Sequence, residues 1–134
     1  MIGLFSKGSK NNHKKYIRSK KSELKKLVKE KKYPDVLKIG TEILEKDPDD
    51  LDVLFIIGGI FYMNKKYSKA ISYFDRYLEI SSFDHEALLL KANSHYKLGQ
   101  YSETTLCCEK IKEIDPKNKG LLELLAKFSK NNIK

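Results

Sequence analysis

Residues 51–118 read LDVLFIIGGIFYMNKKYSKAISYFDRYLEISSFD and then HEALLLKANSHYKLGQYSETTLCCEKIKEIDPKN, one pattern written twice. A tyrosine beside a short turn marks the register: Tyr67 and Tyr101 stand 34 positions apart, and Tyr33 stands 34 before Tyr67. Self-similarity at this period is the mark of stacked two-helix units, each of which buries its apolar face only against its neighbours. The chain is therefore read as all-α, and the other residues are placed around this block.

Upstream, residues 17–50 make a first unit. From Ile17 onward, Leu24, Leu27 and Val28 recur at helical steps with lysines on the remaining faces, as an amphipathic helix requires. Pro34 suits a first helical position, Val36, Leu37, Ile39, Ile43 and Leu44 supply the stripe of a second helix, and Asp47-Pro48 stops it. Units at 51–84 and 85–118 repeat the layout, with Ser68 and Ser102 as candidate N-caps, Gly99 as a helix stop, and Ser81-Ser82 as a softer stop than Asp115-Pro116. Residues 119–134 carry Leu121, Leu122, Leu124, Leu125 and Phe128 and read as a capping helix and tail that shield the last stacking face. Residues 1–16 have no helical period and are rich in Lys, Ser, Asn and Gly, so they are expected to form a mobile basic arm.

The composition narrows the possible functions. With 40% hydrophobic and 34% charged residues but only 7 Gly and 3 Pro, the 134 residues suit one soluble helical domain. Residues 1–32 hold twelve Lys/Arg against Glu23 and Glu30, a net of +10, while the rest hold fifteen against sixteen acids, a net of −1. A charge so confined to one end points to an anionic partner for the N-terminal segment, a membrane surface, nucleic acid or an acidic protein. Cys107 and Cys108 are neighbours on one helix and cannot form a disulfide framework, and no stretch reaches the ~20 apolar residues of a membrane span. A reducing, cytoplasmic location is expected.

No catalytic pattern emerges. His13, His85 and His95 are scattered with no metal-binding pair at helical spacing. Gly58-Gly59 lies inside an apolar helix, where close helix contact explains it, and Cys108 and His95 take core places. An enzyme is not expected, and neither a cofactor nor a metal is called for.

The quoted residues resemble the tetratricopeptide repeat family over residues 17–118. The second unit carries Gly58, Phe61, Tyr67, Ala70 and Phe74 at the family's small and aromatic places, and the third carries Ala92, His95, Tyr101, Thr104 and Cys108. The first keeps Leu27, Tyr33, Val36 and Pro48 but has Leu24 where a small residue is usual, which implies wider packing of its first helix. The resemblance implies a right-handed α-solenoid of three antiparallel helix pairs plus the capping helix, and a scaffold or adaptor that binds a protein or peptide in a concave groove lined by the first helix of each pair. The groove places here are Phe55, Ile56, Tyr62 and Met63, then Leu89, Leu90, Asn93, Tyr96 and Lys97, with a basic surface at Arg18, Lys21, Lys25 and Lys29. So apolar a set implies an apolar peptide or helix as ligand, with self-assembly into a homo-oligomer as a rival use of the same faces. One subfamily grips the C-terminal carboxylate of heat-shock chaperones; at its clamp places stand Lys21, Lys25, Ile56, Glu86 and Leu90, of which only Lys21 agrees, so a chaperone-tail clamp is not expected.

Overall fold

The computed structural model describes residues 2–132, with side chains over residues 11–130. Seven helices follow one another: α1 (Ile2–Lys29), α2 (Tyr33–Lys46), α3 (Leu51–Met63), α4 (Tyr67–Ile80), α5 (His85–Lys97), α6 (Tyr101–Ile114) and α7 (Lys119–Asn132). Among the described residues there is no strand. The helices form three antiparallel pairs and a capping helix, as the period requires. The last two residues of the tail, 133–134, lie outside the described residues.

One boundary differs from the sequence reading. Helix α1 begins at Ile2, so residues 2–16, expected as an arm without helix, are its first half. Starting a helix is the costly step, while each added residue contributes one more hydrogen bond. Once residues 17–29 are helical, lysines and asparagines upstream extend the same helix without an apolar period of their own.

The chain divides into two compact units, Met1–Val53 and Leu54–Lys134. In the first, α1 packs on α2. Ile17 and Leu24 from α1 and Val36, Ile39, Gly40, Ile43 and Leu44 from α2 are buried. The turn between them closes with Lys32 N–H on Leu27 O at 3.0 Å and Lys31 N–H on Val28 O at 3.1 Å, and Lys31 takes a left-handed φ of 58°. This is the paired closure that satisfies the orphan carbonyls at a helix end.

The second unit repeats it twice. Lys66 N–H on Phe61 O and Gln100 N–H on His95 O, both 2.9 Å, close the turns at Lys65 (φ 62°) and Gly99 (φ 74°). Gly99 thus ends its helix as read. Ser68 and Ser102, by contrast, are not N-caps: α4 and α6 start one residue earlier, and the residues at their caps, Lys66 and Gln100, make no side-chain cap bond. The side-chain caps stand at the other helix starts, again 34 apart. Asp50 Oδ1 accepts from Val53 N–H at 3.1 Å, Asp84 Oδ1 from Ala87 N–H and Asn118 Oδ1 from Leu121 N–H, both at 3.0 Å, each satisfying a first-turn amide with no helical partner. Nor is the stop at Ser81 softer, since its N–H reaches Tyr77 O at 2.9 Å just as Asp47 and Asp115 reach Ile43 and Ile111.

Close approach fixes the packing of the second unit. A Cβ built on Gly58 would lie 2.8 Å from Phe74 Cε1, so the fully buried Phe74 ring occupies the space that a side chain at position 58 would need. Phe55 packs on Phe74 and Tyr77, with ring centroids 5.9 and 5.5 Å apart. Toward the C-terminus Leu88, Ala92, Cys107, Cys108, Ile111, Leu121 and Leu124 form one buried cluster, through which α7 covers α5 and α6.

Candidate functional site

The first helix of each pair in the second unit carries the nine groove residues read from the sequence, and the structure sorts them into two rows. Phe55 and Tyr62 on α3, and Leu89 and Tyr96 on α5, are half-buried and engaged inward. Tyr62 meets Tyr67 and Tyr96 meets Tyr101, each at 5.7 Å; Tyr96 also packs on Phe128 of α7 at 5.4 Å, and Leu89 fills the space beside Gly120. These four brace the helix pairs and the cap.

Ile56 and Leu90 are partly exposed and take no place in the buried core; Met63 is 56% exposed, Lys97 is exposed, and Asn93 is partly exposed. They occupy places six, nine and thirteen of their repeats. Place nine of α3 is Gly59, and a Cβ built there would meet nothing within 4 Å. Packing therefore explains Gly58 but not Gly59, which corrects the reading that helix contact accounts for both. An interior helical glycine costs about 1 kcal/mol relative to alanine, and here nothing inside the fold offsets that cost.

The basic surface lies in the first unit. Arg18, Lys25 and Lys29 are exposed on α1. Lys21 is not a free cation: its Nζ lies 3.0 Å from Asp50 Oδ2 and 2.9 Å from Asp52 Oδ2. Partial burial pulls the Lys21 pKa down, but hydrogen bonds and charge from Asp52 and Asp50 outweigh it and hold the ammonium above its ordinary value. The same bond from Lys21 holds Asp52 below the usual carboxylate range.

Other polar groups in the second unit serve the scaffold. His95 is buried and its Nδ1–H donates to Gln100 Oε1 at 2.7 Å. Asp84 is the α5 cap and also accepts from Tyr77 Oη at 2.6 Å; burial would raise its pKa, but the Tyr77 bond and the Ala87 and Glu86 amides carry it below normal. Burial pushes both thiols up, Cys108 to about 11, so they stay protonated at neutral pH and are poor nucleophiles. Among the described residues no group of three His, Cys, Asp or Glu side chains could hold a metal ion, and no helix is long and apolar enough to cross a membrane.

Helix pairs recurring every 34 positions, α2 to α6 each of 13–14 residues, with a small buried residue (Gly40, Gly58 or Ala92) in each pair, define a tetratricopeptide repeat protein with the α-solenoid fold of that class. More narrowly, the family model described as anaphase-promoting complex, cyclosome, subunit 3 matches residues 29–103 and again residues 63–129, and the chain belongs to that family. Solved structures agree on the fold. The first tetratricopeptide domain of Spaghetti (RPAP3), bound to the HSP90 peptide SRMEEVD, superposes with a TM-score of 0.77 at 19% identity, over 88% of this chain and 94% of that one. The N-terminal domain of stress-induced protein-1 from C. elegans gives 0.73 at 12% identity over 87% and 97%, and the Arabidopsis OM64 tetratricopeptide domain 0.71 at 15% over 81% and 90%. Comparison with curated proteins finds no match.

Proposed function

We propose that the chain is a non-enzymatic protein-interaction module whose outward row on α3 and α5 receives an apolar segment of a partner protein. Gly59 carries this reading. An open, side-chain-free notch on a helix made, apart from Asp52 and Gly58, of Leu, Val, Phe, Ile, Tyr and Met lets a partner backbone approach between Ile56 and Met63. Asn93 at the equivalent place on α5 offers both a donor and an acceptor to such a backbone. Phe55, Tyr62, Leu89 and Tyr96 hold the floor beneath, so the row is pre-organised.

The peptide held by the Spaghetti domain supports peptide binding by this fold, but a carboxylate clamp does not suit this chain. Its single matching cation, Lys21, is already held by Asp50 and Asp52. An affinity in the micromolar range, about −8 kcal/mol, is in keeping with two short apolar rows. The test is to select peptides from a random library on the full chain and titrate them against an Ile56→Ser/Leu90→Ser variant. Leu-, Phe- or Met-rich sequences that bind the still-folded variant at least about tenfold more weakly support the reading; unchanged affinity removes the row from the site. If the library yields nothing while light scattering shows a concentration-dependent dimer, the row instead serves self-association.

A further inference from the structure

Helix α1 is 28 residues long, twice the 14 of its partner α2, and its cations are ordered. Lys14, Arg18, Lys21, Lys25 and Lys29 follow at steps of four, three, four and four, which puts one cation per turn in a straight file on one side of the helix. The file is roughly 22 Å long at 1.5 Å per residue. Four of its members, Lys14, Arg18, Lys25 and Lys29, are exposed and form no contact ion pair among the described residues, Lys25 acting on Asp52 only through space. Lys21, the exception, is fixed by Asp50 and Asp52. Nor do three of these four lie on a bare surface: Lys14, Arg18 and Lys25, together with Lys21, line an open cleft of about 570 Å³ that Ile17 and Asp47 also line.

From this we infer a second binding site, in the first unit, for an acidic amphipathic helix of a partner protein that lies along α1 with one carboxylate per turn. The site does not rest on the apolar row of α3 and α5. Like charges this close, only partly offset by Asp47, Asp50 and Asp52, destabilise the free helix, and a ligand that brings matching carboxylates removes the remaining repulsion. The period selects a helix. A helix alongside α1 repeats every 5.4 Å as α1 does, whereas same-side residues of an extended strand recur at roughly 6.7 Å and would drift about 5 Å, one whole step, over four turns. Other anionic occupants fit less well. A lipid surface is planar, while these cations line a cleft with a carboxylate on its wall. A single nucleic-acid strand needs aromatic platforms for its bases, and Tyr16, the aromatic ring of α1 among the described side chains, already lies under the ammonium groups of Lys20 and Lys46 at 5.8 and 5.0 Å.

The experiment titrates the full chain with a labelled peptide of about 20 residues, long enough to hold a helix, carrying glutamates at alternating three- and four-residue steps among alanines and glutamines. Its control has the same composition with glutamates at every second position. Oligouridylate and phosphatidylserine vesicles are run alongside. The helical-period peptide should bind roughly tenfold more tightly than the control, and more weakly as salt rises. Arg18→Glu/Lys25→Glu, both at exposed positions, should lower its affinity at least about tenfold with unchanged far-UV circular dichroism. Asp47→Asn should raise it by a few-fold through loss of like charge, and Ile56→Ser/Leu90→Ser should leave it alone. Equal binding of the two peptides, retention by Arg18→Glu/Lys25→Glu, loss in the Ile56→Ser/Leu90→Ser variant, or tighter binding of the oligouridylate or the vesicles through Arg18 and Lys25 would each overturn the inference.

Discussion

The second and third helix pairs fill the same space by opposite means. In the second, Gly58 gives up its side chain so that the Phe74 ring can lie against the α3 backbone. In the third, 34 residues on, two small buried side chains, Ala92 and Cys108, stand at those places. The first pair reverses the second: Leu24 stands at the Gly58 place and Gly40 at the Phe74 place, both buried. The wider packing expected from Leu24 is thus unnecessary, because the small residue has moved to the other helix. What the repeat keeps is burial at these two places with a small residue at one of them at least, so that the helices can pack closely; neither residue alone is kept.

The contrast can be broken most forcefully at its largest member. Phe74→Ala should cost about 3–5 kcal/mol in urea titration, against about 1 kcal/mol for Cys108→Ala at the equivalent place; similar costs would mean that the Phe74 ring contributes no more to its pair than the Cys108 thiol does. Gly58→Ala comes next, at about 1–3 kcal/mol, because the new methyl meets the Phe74 ring. Combining it with Phe74→Cys, which copies the third pair, should cost less than the sum of the single changes, with a coupling of at least about 1 kcal/mol.

The caps extend the comparison from volume to charge. Asp84→Ala should cost about 1–2 kcal/mol, whereas Asp84→Asn should keep the cap, as Asn118 does at the equivalent place. Because the folded Asp84 pKa lies below its ordinary value, its contribution is complete above the unfolded carboxylate range and is lost as pH falls through the folded pKa. Acid titration should therefore destabilise the wild type more than Asp84→Asn. Smallest are the left-handed turn residues: Lys65→Gly should stabilise by up to about 1 kcal/mol and Gly99→Ala destabilise by a similar amount.

The sequence made the period, the helix pairs and the cap legible because Tyr33, Tyr67 and Tyr101 are unusual enough to be seen at 34-residue spacing. The side-chain N-caps are equally periodic, at Asp50, Asp84 and Asn118, whereas Ser68 and Ser102 have a capping side chain but stand two residues inside the caps of α4 and α6, Lys66 and Gln100. The start of α1 was hidden because a helix extended by propagation needs no apolar stripe. The two rows of the candidate site were not separable either. Helix α3 is apolar nearly all round, so it has no polar face from which to tell that Phe55 and Tyr62 pack on other rings while Met63 stands exposed. Lys21 read as a surface cation because its partners Asp50 and Asp52 are 29 and 31 residues away in sequence.

The most direct measurement uses Gly59→Ala, followed by urea unfolding and by titration with a library-selected apolar peptide. If the notch exists for a ligand, the variant should be more stable by about 0.5–1 kcal/mol and should bind the peptide at least about tenfold more weakly. A variant that gains stability and binds as well as the wild type would contradict the proposed site.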